Sequence, residues 1–209
     1  MPHKLLKRFT ERFFPAGYDN ANSPMPRLVA EGQTPEYFII SCADSRCDPG
    51  TIFDAEPGSF FGFKSIGAIV RPYKTGTALA ASLQYAINVL EVKKLILLGH
   101  THCGAIKALH DKTDDPEISS FIDVAHEAME QARNIAEETS EKENEDELLR
   151  LAEQQVLLAS AKNLLTYPAV KKAVESGKLT IQSWIFEMEG GNILSYDIST
   201  SQFKTVTHN

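Results

Sequence analysis

The stretches YFIISCADSRCDPG (residues 37–50) and KKLILLGHTHCGAIKAL (residues 93–109) decide the fold. In each, a short apolar run ends at once in polar residues and glycine, as a buried parallel strand does where it enters a loop. SFFGFKSIGAIV (59–70) and LTIQSWIF (179–186) predict two more strands, and GTALAASLQYAINVLEV (76–92) has the apolar period of a helix. Strands that alternate with helices predict an α/β fold with a mostly parallel central sheet and helices on both faces.

The remaining segments predict two longer helices and an N-terminal arm. Residues 118–138 and 145–165 have helical periods and are joined by a charged stretch. At the N-terminus, apolar residues recur at helical spacing among basic ones, whereas residues 16–33 are rich in Pro, Gly and Asn and predict irregular chain. The arm's apolar residues are Leu5, Leu6, Phe9 and Phe13. A helix this short must pack on something. Its own domain and a neighbouring subunit are both open.

The composition indicates an ordinary water-soluble domain. Of 209 residues, 43% are hydrophobic and 23% charged, and no apolar run approaches the ~20 residues of a membrane span. The net charge of -7 argues against nucleic acid or an anionic membrane as a partner, although about half of the acidic residues fall within 111–150. Three cysteines without a visible leader peptide predict reduced thiols in a cytoplasmic protein.

The side chains that carry chemistry follow two of the predicted strands. Cys42 comes just after the first, His100 ends the other, and Cys103 follows three residues later. In an open parallel sheet, ligands bind beyond the carboxyl ends of the strands, so these residues can meet at one rim. A lone cysteine or loop histidine is usually unremarkable, but two thiolates and one imidazole form a known zinc set that leaves a fourth position open. We therefore predict a catalytic zinc site.

Asp44 and Arg46 follow Cys42 at alternate positions and have two possible roles. The carboxylate can bind the fourth position of the zinc and close the site. Alternatively, Asp44 can pair with the planar guanidinium of Arg46 and leave that position to water. A surface ion pair of little consequence is the third, plainer reading.

At these residues the sequence resembles a β-class carbonic anhydrase. CADSRCDP (42–49) resembles that family's Cys-x-Asp-Ser-Arg signature, and GHTHCGAIKAL (99–109) resembles its His-x-x-Cys-Gly signature. The similarity runs from about residue 33 to residue 194 and includes the closing helix and strand in TYPAVKKAVESGKLTIQSWIFEMEGG (166–191). The resemblance implies zinc-dependent, reversible hydration of carbon dioxide to bicarbonate. It also implies a homodimer or homotetramer with active sites at a two-fold interface.

The resemblance also implies a role for each matching residue. Asp44 would orient the reacting water, Arg46 would keep Asp44 ionised, and Asp44 would ligate the metal only in a closed state. Gln33 matches a glutamine that hydrogen-bonds substrate, and Tyr85 matches a tyrosine lining the site near the interface. We place Gly104 with them on the substrate-binding side. The expected division is an N-terminal helical arm and irregular linker over 1–32, and a zinc-binding α/β catalytic domain over 33–209.

One stretch departs from the family pattern. Lys64-Ser65 and Ile66-Gly67-Ala68 stand where the family usually has an Arg-Asn pair followed by Ala-x-Asn, which puts the turnover rate in question. Some bacterial members bind an inhibitory bicarbonate through a Trp, an Arg and a Tyr. The corresponding residues here are Ile39, Lys64 and Phe186. We therefore expect this inhibitory site to be absent.

Other polar candidates and other functions are weaker. His102 could be an alternative ligand or a proton shuttle, but an exposed histidine is the simpler interpretation. Cys47 reads as a packed residue, and His110 and His126 as surface residues. Hydrolysis of carbon disulfide or carbonyl sulfide on the same ligands is a rival activity. A zinc-binding homologue with weakened catalysis is another.

Overall fold

A six-stranded mixed sheet forms the centre of the computed structural model, which describes residues 3–138 and 144–206. The strand order is β2-β1-β3-β4-β5-β6; β1 to β4 pair in parallel, and β5 and β6 add an antiparallel hairpin at one edge. In chain order the strands are β1 (Tyr37–Cys42), β2 (Phe60–Ser65), β3 (Lys94–His100), β4 (Thr180–Glu187), β5 (Asn192–Asp197) and β6 (Gln202–Thr205).

Helices cover both faces of this sheet. The α-helices are α1 (Lys4–Arg8), α2 (Phe14–Gly17), α3 (Met25–Glu31), α4 (Pro49–Ile52), α5 (Ala78–Asn88), α6 (Gly104–His110), α7 (Pro116–Ile122), α8 (His126–Glu138), α9 (Glu145–Leu164) and α10 (Pro168–Glu175). A π-helical turn over Phe9–Phe13 joins α1 to α2, and short 3-10 turns lie at Ile66–Ala68 and Asp123–Ala125. Among the described residues, no helix is long and apolar enough to cross a bilayer.

The two faces of the sheet carry separate apolar cores because side chains alternate along each strand. Ile39 and Ile96 point into a core shared with α6, α8 and the first part of α9. Phe38 and Leu95 point into the other core, which contains α5, α10 and the end of α9. Because both faces are buried, β1 and β3 read as continuous apolar runs in the sequence. The predicted α/β fold with a mostly parallel sheet is confirmed.

This topology brings two strand ends together. β1 and β3 are parallel neighbours, with Ser41 paired to Leu98, so their carboxyl ends open on the same rim. β2 lies on the other side of β1, so the direction of winding reverses between β1 and β3. A crevice beyond the carboxyl ends at such a point is the usual ligand site of an open α/β sheet.

The structure corrects the sequence-based interpretation in three places. The helix predicted over 118–138 is interrupted at Asp123–Ala125 and forms α7 and α8. Residues 16–33 are not irregular throughout, since α3 forms there. The Ser23 hydroxyl accepts the Met25 N–H, and Gly32 ends the helix with φ +84°. The third predicted strand stops at Ser65, because Gly67 and Ala68 both adopt positive φ and turn the chain.

Candidate metal centre

Three potential metal ligands converge beyond the ends of β1 and β3. The sulfurs of Cys42 and Cys103 and a ring nitrogen of His100 all lie within 4.8 Å of one another, and all three residues are buried. Cys42 is the last residue of β1, His100 is the last residue of β3, and Cys103 immediately precedes α6. The structure therefore brings the three predicted ligands to one point.

The imidazole of His100 presents a free nitrogen to this point. Its Nδ1 lies 2.8 Å from the carbonyl oxygen of Thr101, a contact that requires the proton on Nδ1. Its Nε2 is buried and has no hydrogen-bond partner among the described residues. A buried, unpaired lone pair is costly, and histidine ligands of metals are commonly oriented by a hydrogen bond at the other ring nitrogen. The His100 ring therefore has the arrangement of a metal-binding histidine, with one nitrogen hydrogen-bonded and the other free.

The thiols of Cys42 and Cys103 shift each other's pKa in opposite directions. The hydrogen bond from the Cys103 thiol lowers the pKa of Cys42 against the effect of burial, and His100 lowers it further. The same contact raises the pKa of Cys103, because a second thiolate would lie beside the first. A divalent cation would displace the remaining thiol protons on binding.

Backbone amides also stabilise the Cys42 sulfur. The N–H groups of Asp44 and Gly67 donate to it at 3.4 and 3.3 Å. Gly67 has φ +66°, and a Cβ there would lie 3.1 Å from the Ile69 Cδ1. Glycine is therefore the residue that lets this amide reach the sulfur without strain.

This donor set fits zinc. Zinc takes thiolate and imidazole ligands at about 2.3 and 2.0 Å, so its donors lie within about 4 Å of one another, consistent with the observed cluster. Three protein ligands leave a fourth position open. A second group, His110, Asp111 and Glu145, is equally compact. However, the Lys107 ammonium already pairs with both of its carboxylates, at 3.0 and 3.1 Å.

Asp44 lies beside the three ligands but is held by Arg46. The guanidinium donates to both carboxylate oxygens, at 3.0 and 2.8 Å, and the Arg46 N–H donates to Oδ1 at 2.8 Å. The Arg46 hydrogen bonds hold the pKa of Asp44 well below its ordinary value, so the group is ionised at neutral pH. Its Oδ2 is 3.9 Å from the free Nε2 of His100. The carboxylate therefore faces the space that a metal and its open position would occupy.

Glu153 is a neighbour of the site that the sequence analysis missed. This residue of α9 is buried, and its Oε1 accepts the N–H of Cys103 at 2.8 Å, while Oε2 has no partner among the described residues. Burial raises the pKa of Glu153 to about 7. The available signal was a glutamate on the apolar face of a helix, one residue after Ala152 and three before Val156.

His102, expected to be a plain exposed histidine, is exposed but paired. Its Nε2 lies 2.8 Å from Glu189 Oε1, and the residue has φ +56°. It does not belong to the compact donor cluster. Cys47 is fully buried, with its sulfur 3.9 Å from the carbonyl oxygens of Leu98 and Gly99.

The residues assigned to the substrate side come from three separate segments of the chain. Gln33 is exposed just after α3, and Tyr85 is 47% exposed on α5 with its ring 5.8 Å from that of Phe61. No contact within the described ranges joins either to the three ligands. Gly104 is the first residue of α6 and directly follows Cys103.

In the segment that departs from the family pattern, Lys64 bonds Asp48 at 2.7 Å. Ile39 is buried in β1, where it lies opposite Gly62 of β2. Phe186 is partly buried in β4 beside His100.

Comparison with known proteins gives a consistent family assignment. The sequence profile described as "Carbonic anhydrase" matches residues 37–193. The chain is 33% identical to a carbonic anhydrase of Synechocystis, with 92% of this chain and 69% of that protein aligned. It is 31% identical to one of Pseudomonas aeruginosa, over 88% of this chain and 83% of that protein.

Two solved structures show the same fold over nearly the whole chain. The β-carbonic anhydrase CcaA superposes with a TM-score of 0.81 and 30% identity, covering 96% of both chains. A tetrameric β-carbonic anhydrase of Sordaria macrospora superposes with a TM-score of 0.77 and 28% identity. That match covers 91% of this chain and 95% of the other.

Proposed function

Because the chain belongs to the β-carbonic anhydrase family, we propose that Cys42, His100 and Cys103 hold the zinc ion on which its activity depends. That activity is the reversible hydration of carbon dioxide to bicarbonate. The observation that carries the zinc assignment is the buried, unpartnered Nε2 of His100, which lies within 4.8 Å of two cysteine sulfurs. When bound, zinc supplies a Lewis acid that makes a water proton easier to remove.

Asp44 and Arg46 act together in this proposal. Arg46 keeps Asp44 ionised and engaged in the ion pair, so that the fourth position is left to solvent. In this orientation Asp44 accepts a hydrogen bond from the reacting water and directs its lone pair at carbon dioxide. Asp44 becomes a ligand only if its ion pair with Arg46 breaks. The carboxylate then fills the fourth position and closes the site.

The substrate side of the site is assigned to Gln33, Tyr85 and Gly104. Gln33 donates to a substrate oxygen, and Tyr85 lines the approach. Both side chains are exposed in the single chain, which supports their acting across a subunit interface. Gly104 leaves the space next to Cys103 open: apart from its chain neighbours and its own helix backbone, no heavy atom of the described residues lies within 4 Å of the position of its missing Cβ.

The assembly is proposed to be a homodimer or a homotetramer of such dimers. The relative from Sordaria macrospora is described as tetrameric. In this chain the arm, residues 4–17, exposes Leu5, Phe9 and Phe13 to solvent, so its apolar face is not buried by its own domain. This favours a neighbouring subunit as its packing partner.

Two broader assignments also remain proposals. We divide the chain into the arm and linker, 1–32, and the catalytic domain, 33–209, of which 139–143 and 207–209 lie outside the described residues. A cytoplasmic location is supported by three cysteines that are all free, as thiol ligands for a metal require.

A stopped-flow assay of carbon dioxide hydration tests the proposal. The full chain is assayed with zinc, after removal of zinc by a chelator, and after zinc is restored, and carbon disulfide is offered in parallel. We expect hydration activity to disappear with the metal and to return with it. Hydration that survives metal removal would refute the zinc mechanism, and turnover of carbon disulfide alone would favour the rival activity.

A further inference from the structure

The ligand loop, residues 100–103, is tied to the turn that follows β4. The N–H of Thr101 donates to the Phe186 carbonyl oxygen at 3.0 Å. The Thr101 hydroxyl accepts the N–H of Met188 at 3.0 Å and donates to Glu189 Oε2 at 2.7 Å. Thr101 is therefore fixed at both its backbone and its side chain by one short segment.

Thr101 in turn orients a metal ligand. Its carbonyl oxygen is the acceptor for Nδ1 of His100, at 2.8 Å. The direction of this carbonyl determines where the imidazole plane lies and hence where Nε2 points. A shift of Thr101 would move His100 with it.

The same carboxylate holds the next residue of the loop. Glu189 Oε1 lies 2.8 Å from Nε2 of His102, which has the left-handed φ of +56°. Such a conformation persists in a non-glycine residue only where its surroundings fix it. The carbonyl oxygen of His102 accepts a hydrogen bond from Arg46 Nη2 at 3.4 Å. By fixing His102, the contact with Glu189 therefore also helps to position the Arg46 guanidinium that holds Asp44.

A third partner keeps the carboxylate in place. Arg150 of α9 donates to Glu189 Oε1 at 2.8 Å. The Thr101 hydroxyl, with help from Arg150 and His102, lowers the pKa of Glu189 to about 2, so the group is charged at neutral pH. One ionised side chain thus links a helix to two successive residues of the ligand loop.

We propose that Glu189 is a positioning residue of the metal centre, which acts through Thr101 on His100 and through His102 on Arg46. This inference rests on the zinc site of the proposed function. Glu189 does not touch metal or substrate in this account. It fixes the loop geometry that the three ligands need.

The test is zinc affinity, measured by competition with a chromophoric chelator on the full chain. In Glu189→Gln the shape is kept and the charge is lost. Because outer-shell partners of metal ligands typically account for 10- to 100-fold in affinity, we expect a loss of about that size. We also expect a changed visible absorption spectrum when cobalt(II) is bound, while the metal-free variant stays folded at neutral pH.

Glu187→Gln is the matched control. Glu187 lies two residues earlier, and its carboxylate accepts a hydrogen bond from Asn192 rather than from the ligand loop. We expect this variant to bind zinc and cobalt(II) as the wild type does.

Thr101→Val and Thr101→Ser test the contact between Thr101 and Glu189 from the side of the ligand loop. The valine should weaken zinc binding as Glu189→Gln does, and the serine, which keeps the hydroxyl, should restore it.

Wild-type affinity together with an unchanged cobalt(II) spectrum in Glu189→Gln would overturn the inference. If that variant does not fold, equal zinc affinities for Thr101→Val and Thr101→Ser would overturn it instead. Failure of the wild-type chain to bind zinc would refute the proposed function, so the two ideas fail by different results.

Discussion

At the scale of single residues, Asp44 lies between two competing partners. It is 3.9 Å from Nε2 of His100 and makes a two-pronged ion pair with Arg46 at 3.0 and 2.8 Å. A charge-assisted pair of this geometry is among the stronger polar contacts in proteins. Held in this pair, the carboxylate can take the proposed role of orienting a water without becoming a ligand.

Asp44→Asn should keep the zinc and lose the activity. The variant retains the size of the side chain but no longer offers a charged acceptor, and positioned acid–base groups typically contribute 10²- to 10⁴-fold to rate. We expect hydration, measured by stopped flow, to fall by about 100-fold or more at unchanged zinc content.

The control is Asp48→Asn. Asp48 caps α4 through Thr51, a role that asparagine can keep, and pairs with Lys64 in an exposed contact whose loss costs little. Its activity should remain near wild type. Equal activity in the two variants would show that Asp44 is not the orienting group.

The sequence predicts contacts between residues that are close together in the chain, such as Asp44 and Arg46, but not the contact made by Glu153. Asp44 and Arg46 stand within four residues of Cys42, so their meeting could be predicted from a short motif. Glu153 reaches Cys103 from α9, fifty residues away in the sequence. Only the packing of that helix against the loop reveals the contact.

At the scale of elements, the 3-10 turn Ile66–Ala68 connects the sheet to the proposed ligands. Gly67→Ala should weaken zinc binding, because the new Cβ would press on Ile69 and move the N–H that donates to Cys42. A left-handed alanine also costs roughly 1–2 kcal/mol of stability. Urea unfolding and zinc competition measure the two effects separately.

Gly76→Ala is the matched control for this turn. Gly76 has φ +77°, but apart from its chain neighbours no heavy atom in the described part of the chain lies within 4 Å of its missing Cβ. It should show the backbone penalty alone and bind zinc normally. If both variants bind zinc equally well, the amide of Gly67 has no part in supporting Cys42.

The turn after β4 should make the metal-free protein sensitive to acid. The pKa of Glu189 is lowered from 4.5 to about 2, so its contribution to stability is complete above pH 4.5 and is lost as the pH falls towards 2. Wild type should therefore lose more stability between pH 5 and pH 3 than Glu189→Gln, whose side chain does not titrate. Urea midpoints at the two pH values measure this, and parallel losses would contradict it.

The same scale shows which elements were predictable. β1 and β3 are buried on both faces and read as unbroken apolar runs. β5 is only partly buried along its whole length, so it lacks the alternation that marks a strand with one wet face. α3 was not predicted because two prolines lie at its start, although proline is favourable in the first turn of a helix.

At the scale of the whole molecule, the arm exposes apolar side chains that its own domain does not cover. Leu5 is 67% exposed, and Phe9 and Phe13 are stacked with centroids 5.7 Å apart yet remain 44% and 46% exposed. Sequence analysis left open whether the arm packs on its own domain or on a second subunit. The exposure favours the second subunit.

A double substitution in the arm, Phe9→Ser with Phe13→Ser, should reduce the assembly to a smaller species. Light scattering coupled to size-exclusion chromatography measures the mass. Ile198→Ser, at an exposed residue between β5 and β6, is the control and should leave the mass unchanged. An assembly that survives the double substitution would mean that the arm does not hold subunits together.

The proposed metal centre uses two of the three cysteine sulfurs, those of Cys42 and Cys103. Zinc per chain, measured on purified Cys42→Ser, Cys103→Ser and Cys47→Ser, tests this most directly, because all three residues are buried but only two face His100. We expect wild-type zinc content in Cys47→Ser and almost none in the other two variants. Full zinc content in Cys42→Ser or Cys103→Ser, or its loss only in Cys47→Ser, would contradict the proposed centre.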